Sequence, residues 1–142
     1  MGVTNMSVED YLETILILSK RLPVVRAVDI VAELNYSKSS VSAALKNLKA
    51  KEYITIESHG YINLTETGKS IAMSIYERHE WFAKWLISLG VDELTANADA
   101  CRMEHAISSV SFDAIKKNIN LFPIYRNKYK KENINKICNI LL

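Results

Sequence analysis

The sequence predicts a mainly α-helical chain with one small β-hairpin, and three observations carry that reading. Its 142 residues include only four Gly and two Pro, too few for long irregular stretches. Apolar residues recur three and four positions apart through most of the chain, which is the period of a half-buried helix. One interval, YITIESHGYINLT at 53–65, alternates instead and turns at His59-Gly60, as a hairpin does.

Ser7 followed by Asp10 reads as a capping box with Asp in place of Glu. Tyr11, Leu12, Ile15, Leu16 and Leu18 follow at helical spacing, so a first helix is expected over about 7–20. Pro23 breaks the chain. VRAVDIVAELN reads as a second short helix with Ala27, Ile30, Val31 and Leu34 facing inward. Asn35-Tyr36 is a turn. Ser37 or Ser39 caps a third helix whose buried stripe is Val41, Leu45 and Leu48. After the hairpin, Thr65 caps a long fourth helix that Gly90 closes. VDELTANADACRMEHAI is a fifth helix, and Ser109 or Ser111 starts a sixth through about Asn118. Pro123 sets off a last helical segment, YRNKYKKENINKICNILL.

Helices two and three with their short turn fit a helix-turn-helix, and the hairpin fits its wing. The expected organisation is a winged helix-turn-helix over 1–64 followed by a helical dimerisation domain over 65–142. Trp81, Phe82, Trp85, Leu86, Leu89, Leu94, Met103, Ile107, Phe112 and Ile115 crowd that second part. So few helices can hardly hide them all internally, which favours a homodimer over a monomeric core.

Composition is that of a soluble globular protein, 49% hydrophobic and 24% charged. No apolar run approaches a membrane span. The start, MGVTNMSVED, lacks a basic stretch followed by an apolar one, so a cytoplasmic protein is expected. Cys101 and Cys138 are then reduced thiols or ligands rather than a disulfide. Net charge is only +2, but its distribution is uneven. Residues 37–51 hold Lys38, Lys46, Lys49 and Lys51 and no acid. Opposite its buried stripe, helix three shows Ser37, Lys38, Ser39, Ser40, Ser42, Lys46 and Asn47. Small hydroxyls near a helix N-terminus approach base edges and phosphates closely, and lysines farther along suit phosphates. Double-stranded DNA is the partner this surface fits. The plainer alternative is a solvated basic face. For the basic tail, with Arg126, Lys128, Lys130, Lys131 and Lys136, a solvated helix face is expected over contact with DNA phosphates.

A second constellation is metal-capable. In ACRMEH, Cys101 lies three residues before Glu104 and four before His105, so all three lean toward one side of a helix. Thiolate, carboxylate and imidazole together suit a borderline transition ion rather than calcium or magnesium. One helix seldom completes a coordination sphere. Helix one offers Asp10 and Glu13, and helix four offers His79. Taken singly, each has a structural reading as a buried thiol, a cap acid, a surface charge or a core histidine.

VEDYLETI, SKSSVSAALKNLKAKEYI, GYINLTETGK, ERHEW and ACRMEH together resemble the family of metal-dependent transcriptional repressors that includes the diphtheria toxin repressor and the manganese transport regulator. The resemblance spans about residues 6–119. It implies a winged helix, then a helical domain that dimerises and holds metal, without a third SH3-like domain. It implies as ligands Asp10 and Glu13, matching manganese-type positions, and His79, Glu104 and His105, matching both types. Cys101 matches a position that is Cys in iron-type members and Glu in manganese-type ones, which makes the set a hybrid. Ala83 and Asn97 stand where iron-type members carry a glutamate and a histidine of an ancillary site, and that site is lost here.

The function expected is a repressor whose co-repressor is Mn²⁺ or Fe²⁺, with Co²⁺ or Zn²⁺ also suited to the donors. Asp10, Cys101, Glu104 and His105 bind one ion, and Glu13 and His79 form or complete a second site. The operator is a palindrome read by a homodimer, and no membrane is involved. One alternative is a winged-helix regulator that senses an organic ligand. Another is a small metal-dependent hydrolase, against which the chain has no HExxH motif, nucleophile elbow or phosphate loop. No enzyme activity is expected.

Overall fold

A computed structural model describes residues 3–119. Cys138 and the basic tail lie outside the described residues. The elements are α1 (Val3–Arg21), α2 (Ala27–Leu34), α3 (Lys38–Ala50), β1 (Ile54–Ile56), β2 (Ile62–Leu64), α4 (Glu66–Ser88), α5 (Glu93–Ala106) and α6 (Ser109–Asn118). They fall into two compact units that divide between Tyr76 and Glu77, inside α4.

In the first unit, α1 begins at Val3, so Ser7 lies within the helix rather than at its cap. Nothing between Val3 and Ser7 breaks a helix. Tyr11, Leu12, Ile15, Leu16 and Leu18 are buried and pack with Ile30, Val41, Leu45, Leu48, Ile54, Ile62 and Ala72. Each fully buried aliphatic side chain contributes about 1.5–3 kcal/mol. α2 turns its Ile30 inward, with Val31 and Leu34 packed beside it. Ala27, expected on that inward face, is exposed because it is the first helical residue, where the chain is still entering. Arg26 precedes it, and its backbone N–H donates to Asp29 at 2.8 Å. Asn35 ends α2 in the left-handed region (φ 54°), a conformation that Asn tolerates better than most residues.

Ser37 caps α3, accepting from the backbone N–H of Ser40 at 3.1 Å. Val41, Leu45 and Leu48 are its buried stripe. β1 and β2 pair antiparallel with Ile54 opposite Leu64, Thr55 opposite Asn63 and Ile56 opposite Ile62. The period of two turns the four aliphatic side chains to the core and leaves Thr55 and Asn63 exposed. Gly60, at φ +80°, supplies the turn. The Ile62 N–H donates to the Val25 carbonyl at 2.8 Å, which fastens the hairpin beside the entry to α2. Thr65 caps α4, accepting from the Gly68 N–H at 3.1 Å while its hydroxyl donates to the Glu52 carbonyl at 2.7 Å. A Cβ on Gly68 would stand 2.0 Å from the Tyr53 carbonyl oxygen, so only glycine fits there.

In the second unit, Asp92 caps α5 by accepting from the Thr95 N–H at 2.9 Å. The α6 cap is Ser108 rather than Ser109 or Ser111, with its side chain accepting from the Ser111 N–H at 3.2 Å. Three serines share this stretch, and the choice falls on the one whose backbone is still extended. Trp81, Phe82, Ala83, Ala100, Phe112 and Ile119 form the core. The Trp81 ring meets Phe82 and Phe112 edge to face, at 5.4 and 5.7 Å between centroids, a favoured aromatic geometry. Leu94 and Val110 stand 84% and 81% exposed, so part of the unit's apolar surface stays uncovered among the described residues. No helix among the described residues is long and apolar enough to cross a membrane.

Candidate metal centre and nucleic-acid interface

The exposed face of α3 carries Lys38, Ser39, Ser40, Ser42, Lys46 and Asn47, and all are solvent-accessible. Ser37 is exposed too, but its hydroxyl is engaged as the cap and also lies 2.8 Å from Ser40 Oγ and 3.1 Å from Ser39 Oγ. Lys38, Ser42, Lys46 and Asn47 therefore offer accessible polar groups outside this serine cluster. A second cationic feature of this unit has no signal in residue spacing. The Arg26 guanidinium lies over the Tyr61 ring, 4.9 Å from its centroid, and 3.3 Å from its hydroxyl. Arg26 and Tyr61 are 35 residues apart, so only the folded hairpin brings them together. His59 is exposed at the hairpin turn.

Asp10 and Glu13 lie almost one turn apart on α1, the first half-buried and the second buried. In the second unit, α4 and α5 bring His79 to Glu104. Nδ1 of His79 stands 2.9 Å from Oε2 of Glu104. The other carboxylate oxygen, Oε1, lies 3.1 Å from Nε2 of His105. The Glu104 side chain is wholly buried and that of His105 is 2% exposed. One carboxylate thus sits between two imidazoles out of contact with water. Cys101, one turn before His105, is exposed and in no disulfide.

A buried carboxylate requires compensating positive charge. Both nitrogen–oxygen separations are close to ~3 Å, the spacing of neighbouring ligands about 2.1 Å from one ion. The imidazole–carboxylate set fits a divalent transition metal. Two neighbouring residues hold this geometry, and sequence reasoning points to neither in that role. Arg78, buried in α4, donates to the Glu104 carbonyl at 3.1 Å, to the Ile107 carbonyl at 2.9 Å and to Ser109 Oγ at 2.7 Å. It satisfies carbonyls left open at the end of α5 and ties them to the start of α6. Asn97 places its Oδ1 3.3 Å from Nε2 of His79. Residue spacing carries no signal for either, because each depends on which face of α4 meets α5.

A winged helix with an acid-free reading surface, in one chain with a histidine–carboxylate cluster, defines a DNA-binding protein with a candidate metal centre. Comparison with known proteins agrees. Residues 4–62 match the N-terminal DNA binding domain of iron dependent repressors. Residues 65–123 match the metal binding and dimerisation domain of the same proteins. An HTH-type transcriptional regulator of Methanocaldococcus jannaschii is 32% identical over 128 residues, covering 89% of this chain and 97% of that one. The HTH-type transcriptional regulator MntR of Bacillus subtilis is 33% identical over 120 residues, covering 84% of each. The solved structure of the manganese regulator SloR superposes with a TM-score of 0.70 at 26% identity, over 80% of this chain. The chain spans about half, 53%, of that structure. The chain belongs to the iron-dependent repressor family of metal-dependent transcriptional regulators.

Proposed function

We propose that this chain represses transcription as a homodimer on a palindromic operator, with a divalent transition cation as co-repressor. The observation that carries the reading is Glu104, a carboxylate shut away from solvent between the imidazoles of His79 and His105. Asp10, Glu13 and Cys101 join those three as the proposed ligand set. When bound, the cation supplies the positive charge that the carboxylates and the Cys101 thiolate share.

Asp10 and Glu13 belong to the part of the chain that reads DNA, and the other ligands to the part that matches a dimerisation domain. Ligands drawn from both couple occupancy to the spacing of the two α3 helices in a dimer. A palindrome demands half-sites about one helical turn, ~34 Å, or a multiple apart. Occupancy therefore favours the DNA-competent state over others that the metal-free dimer samples. On the DNA side, Ser39, Ser42 and Asn47 reach bases and nearby phosphates, and Lys38 and Lys46 hold phosphates. Ser37 and Ser40 order the helix N-terminus that approaches the backbone.

Mn²⁺ and Fe²⁺ are the ions favoured. The solved relative is a manganese regulator and the matched domains are those of iron dependent repressors. Carboxylates from α1 suit Mn²⁺, whereas the Cys101 thiolate shifts preference toward Fe²⁺. The reading requires no catalysis and places the protein in the cytoplasm with its DNA. The test is operator binding at fixed salt, under anaerobic conditions, during titration with Mn²⁺, Fe²⁺, Co²⁺ and Zn²⁺. Affinity rising steeply with one or two of these ions supports the switch; specific binding indifferent to metal refutes it.

A further inference from the structure

We propose that Asn97 is a positioning residue that selects Nδ1 of His79 as the nitrogen that meets the metal. The inference rests on the metal reading of His79 and Glu104 given above. It starts from the orientation of one amide. The Asn97 Nδ2 group donates to the backbone carbonyl of Glu93 at 2.8 Å, one turn back on α5. A carbonyl only accepts, so the amide cannot be turned the other way without setting two acceptors against each other.

That leaves Oδ1 of Asn97 facing Nε2 of His79 at 3.3 Å. Oδ1 also only accepts, so Nε2 must carry a proton. A neutral imidazole has one N–H. Its Nδ1 therefore presents a lone pair, and it does so 2.9 Å from Oε2 of Glu104. Two acceptors repel at that distance unless a cation lies against both. A metal ion about 2.1 Å from each atom would lie to one side of the pair and against both, and the smaller cation that can serve is a proton, which metal binding would displace. A histidine ligand commonly donates its other ring N–H to a carboxylate, a carbonyl or water, which fixes its tautomer and ring orientation. Here a side-chain amide, itself pinned by the helix backbone, does that work. The chain of constraint runs from the Glu93 carbonyl through Asn97 to His79, and every member lies in the second unit.

The test uses the full chain. With ¹⁵N-labelled histidine and Zn²⁺ as a diamagnetic probe, two-bond ¹H–¹⁵N spectra read which nitrogen of His79 carries the proton. The expected result is a protonated Nε2 and a coordinating Nδ1. Asn97→Ala should weaken Zn²⁺ and Mn²⁺ binding on the order of 10–100-fold with helical content unchanged by circular dichroism. Asn97→Asp, which still accepts from Nε2 but loses the donor to the Glu93 carbonyl, should recover part of the affinity lost in Asn97→Ala. A proton on Nδ1 in the loaded wild-type protein overturns the proposal, and so does wild-type affinity in Asn97→Ala. His79→Ala separates this failure from that of the metal reading. If it weakens metal binding while Asn97→Ala does not, only the positioning role falls; if it binds metal as well as wild type, His79 is no ligand.

Discussion

Nδ1 of His79 stands 2.9 Å from Oε2 of Glu104, and that carboxylate has no contact with solvent. A charge in such a place is tolerated only with a partner cation nearby. Glu104→Gln keeps the shape and removes the charge. Wild-type protein held in Mn²⁺ at about 100 times its dissociation constant gains about 2.7 kcal/mol of stability from binding. The variant should lose most of that gain, along with metal-dependent operator binding. Thermal melts with and without Mn²⁺ check it, and an undiminished metal-induced rise in Tm contradicts a ligand role for Glu104.

The lysines of α3 should act through phosphates. Removing one lysine–phosphate interaction reduces the slope of log affinity against log salt by about 1. Lys46→Ala is expected to weaken binding to operator and unrelated DNA alike and to flatten the slope by about that amount. Asn47→Ala should instead narrow the difference between the two DNAs and leave the slope in place. Binding isotherms at several salt concentrations distinguish the two behaviours.

Gly68→Ala places a methyl carbon where the Tyr53 carbonyl oxygen already stands, 2.0 Å away. That oxygen accepts from the Thr65 N–H at 3.0 Å, so it cannot retreat without breaking a hydrogen bond. Destabilisation of about 1–3 kcal/mol or more is expected, and urea unfolding measures it. An Ala variant as stable as wild type would mean that α4 and the hairpin slide apart easily.

The backbone N–H of Thr95, which donates to Asp92, holds the Asp92 carboxyl below the usual carboxylate range, with the Thr95 side chain adding to the effect. A group with a depressed folded pKa stabilises the fold above its unfolded value, near ~4. That contribution is lost as pH falls through the folded value. Asp92→Asn keeps a cap but cannot titrate. Its Tm should therefore fall less steeply below pH ~4 than that of wild type, and melts from neutral pH down to strongly acidic pH test the difference.

Much of the fold is legible because local signals agree. Ser37 with Val41, Leu45 and Leu48 specifies both the start and the buried side of α3. The alternation in YITI and YINL specifies the hairpin, and Gly60 and Gly90 sit at positive φ where turns are expected. Where expectation and structure part, helix ends decide. Ser7 resembles a cap only if the helix starts there, and α1 starts four residues earlier. Ala27 has the right spacing for a core position but sits at the first helical residue, too early in α2 to reach the core. In the candidate site, the closeness of Glu104 and His105 along α5 is plain in the sequence, although consecutive helical residues do not face each other by periodicity alone. The approach of His79, Arg78 and Asn97 is not plain there, because it depends on the rotation of α4 against α5. Asn97 reads in the sequence as a missing ligand; the fold assigns it a different neighbour to hold.

Arg78 and His79 are consecutive, and both take hold of the same residue. One grips the Glu104 backbone through its carbonyl and the other meets its carboxylate. Glu104 is thereby restrained against both sliding along the helix axis and swinging about its side-chain bonds. With the ligand set proposed above, an incoming ion would find this oxygen already in place and would spend little of its binding energy on ordering it. Discrimination among ions at this point would then depend on radius and donor preference, not on an energetic penalty for assembling the cradle.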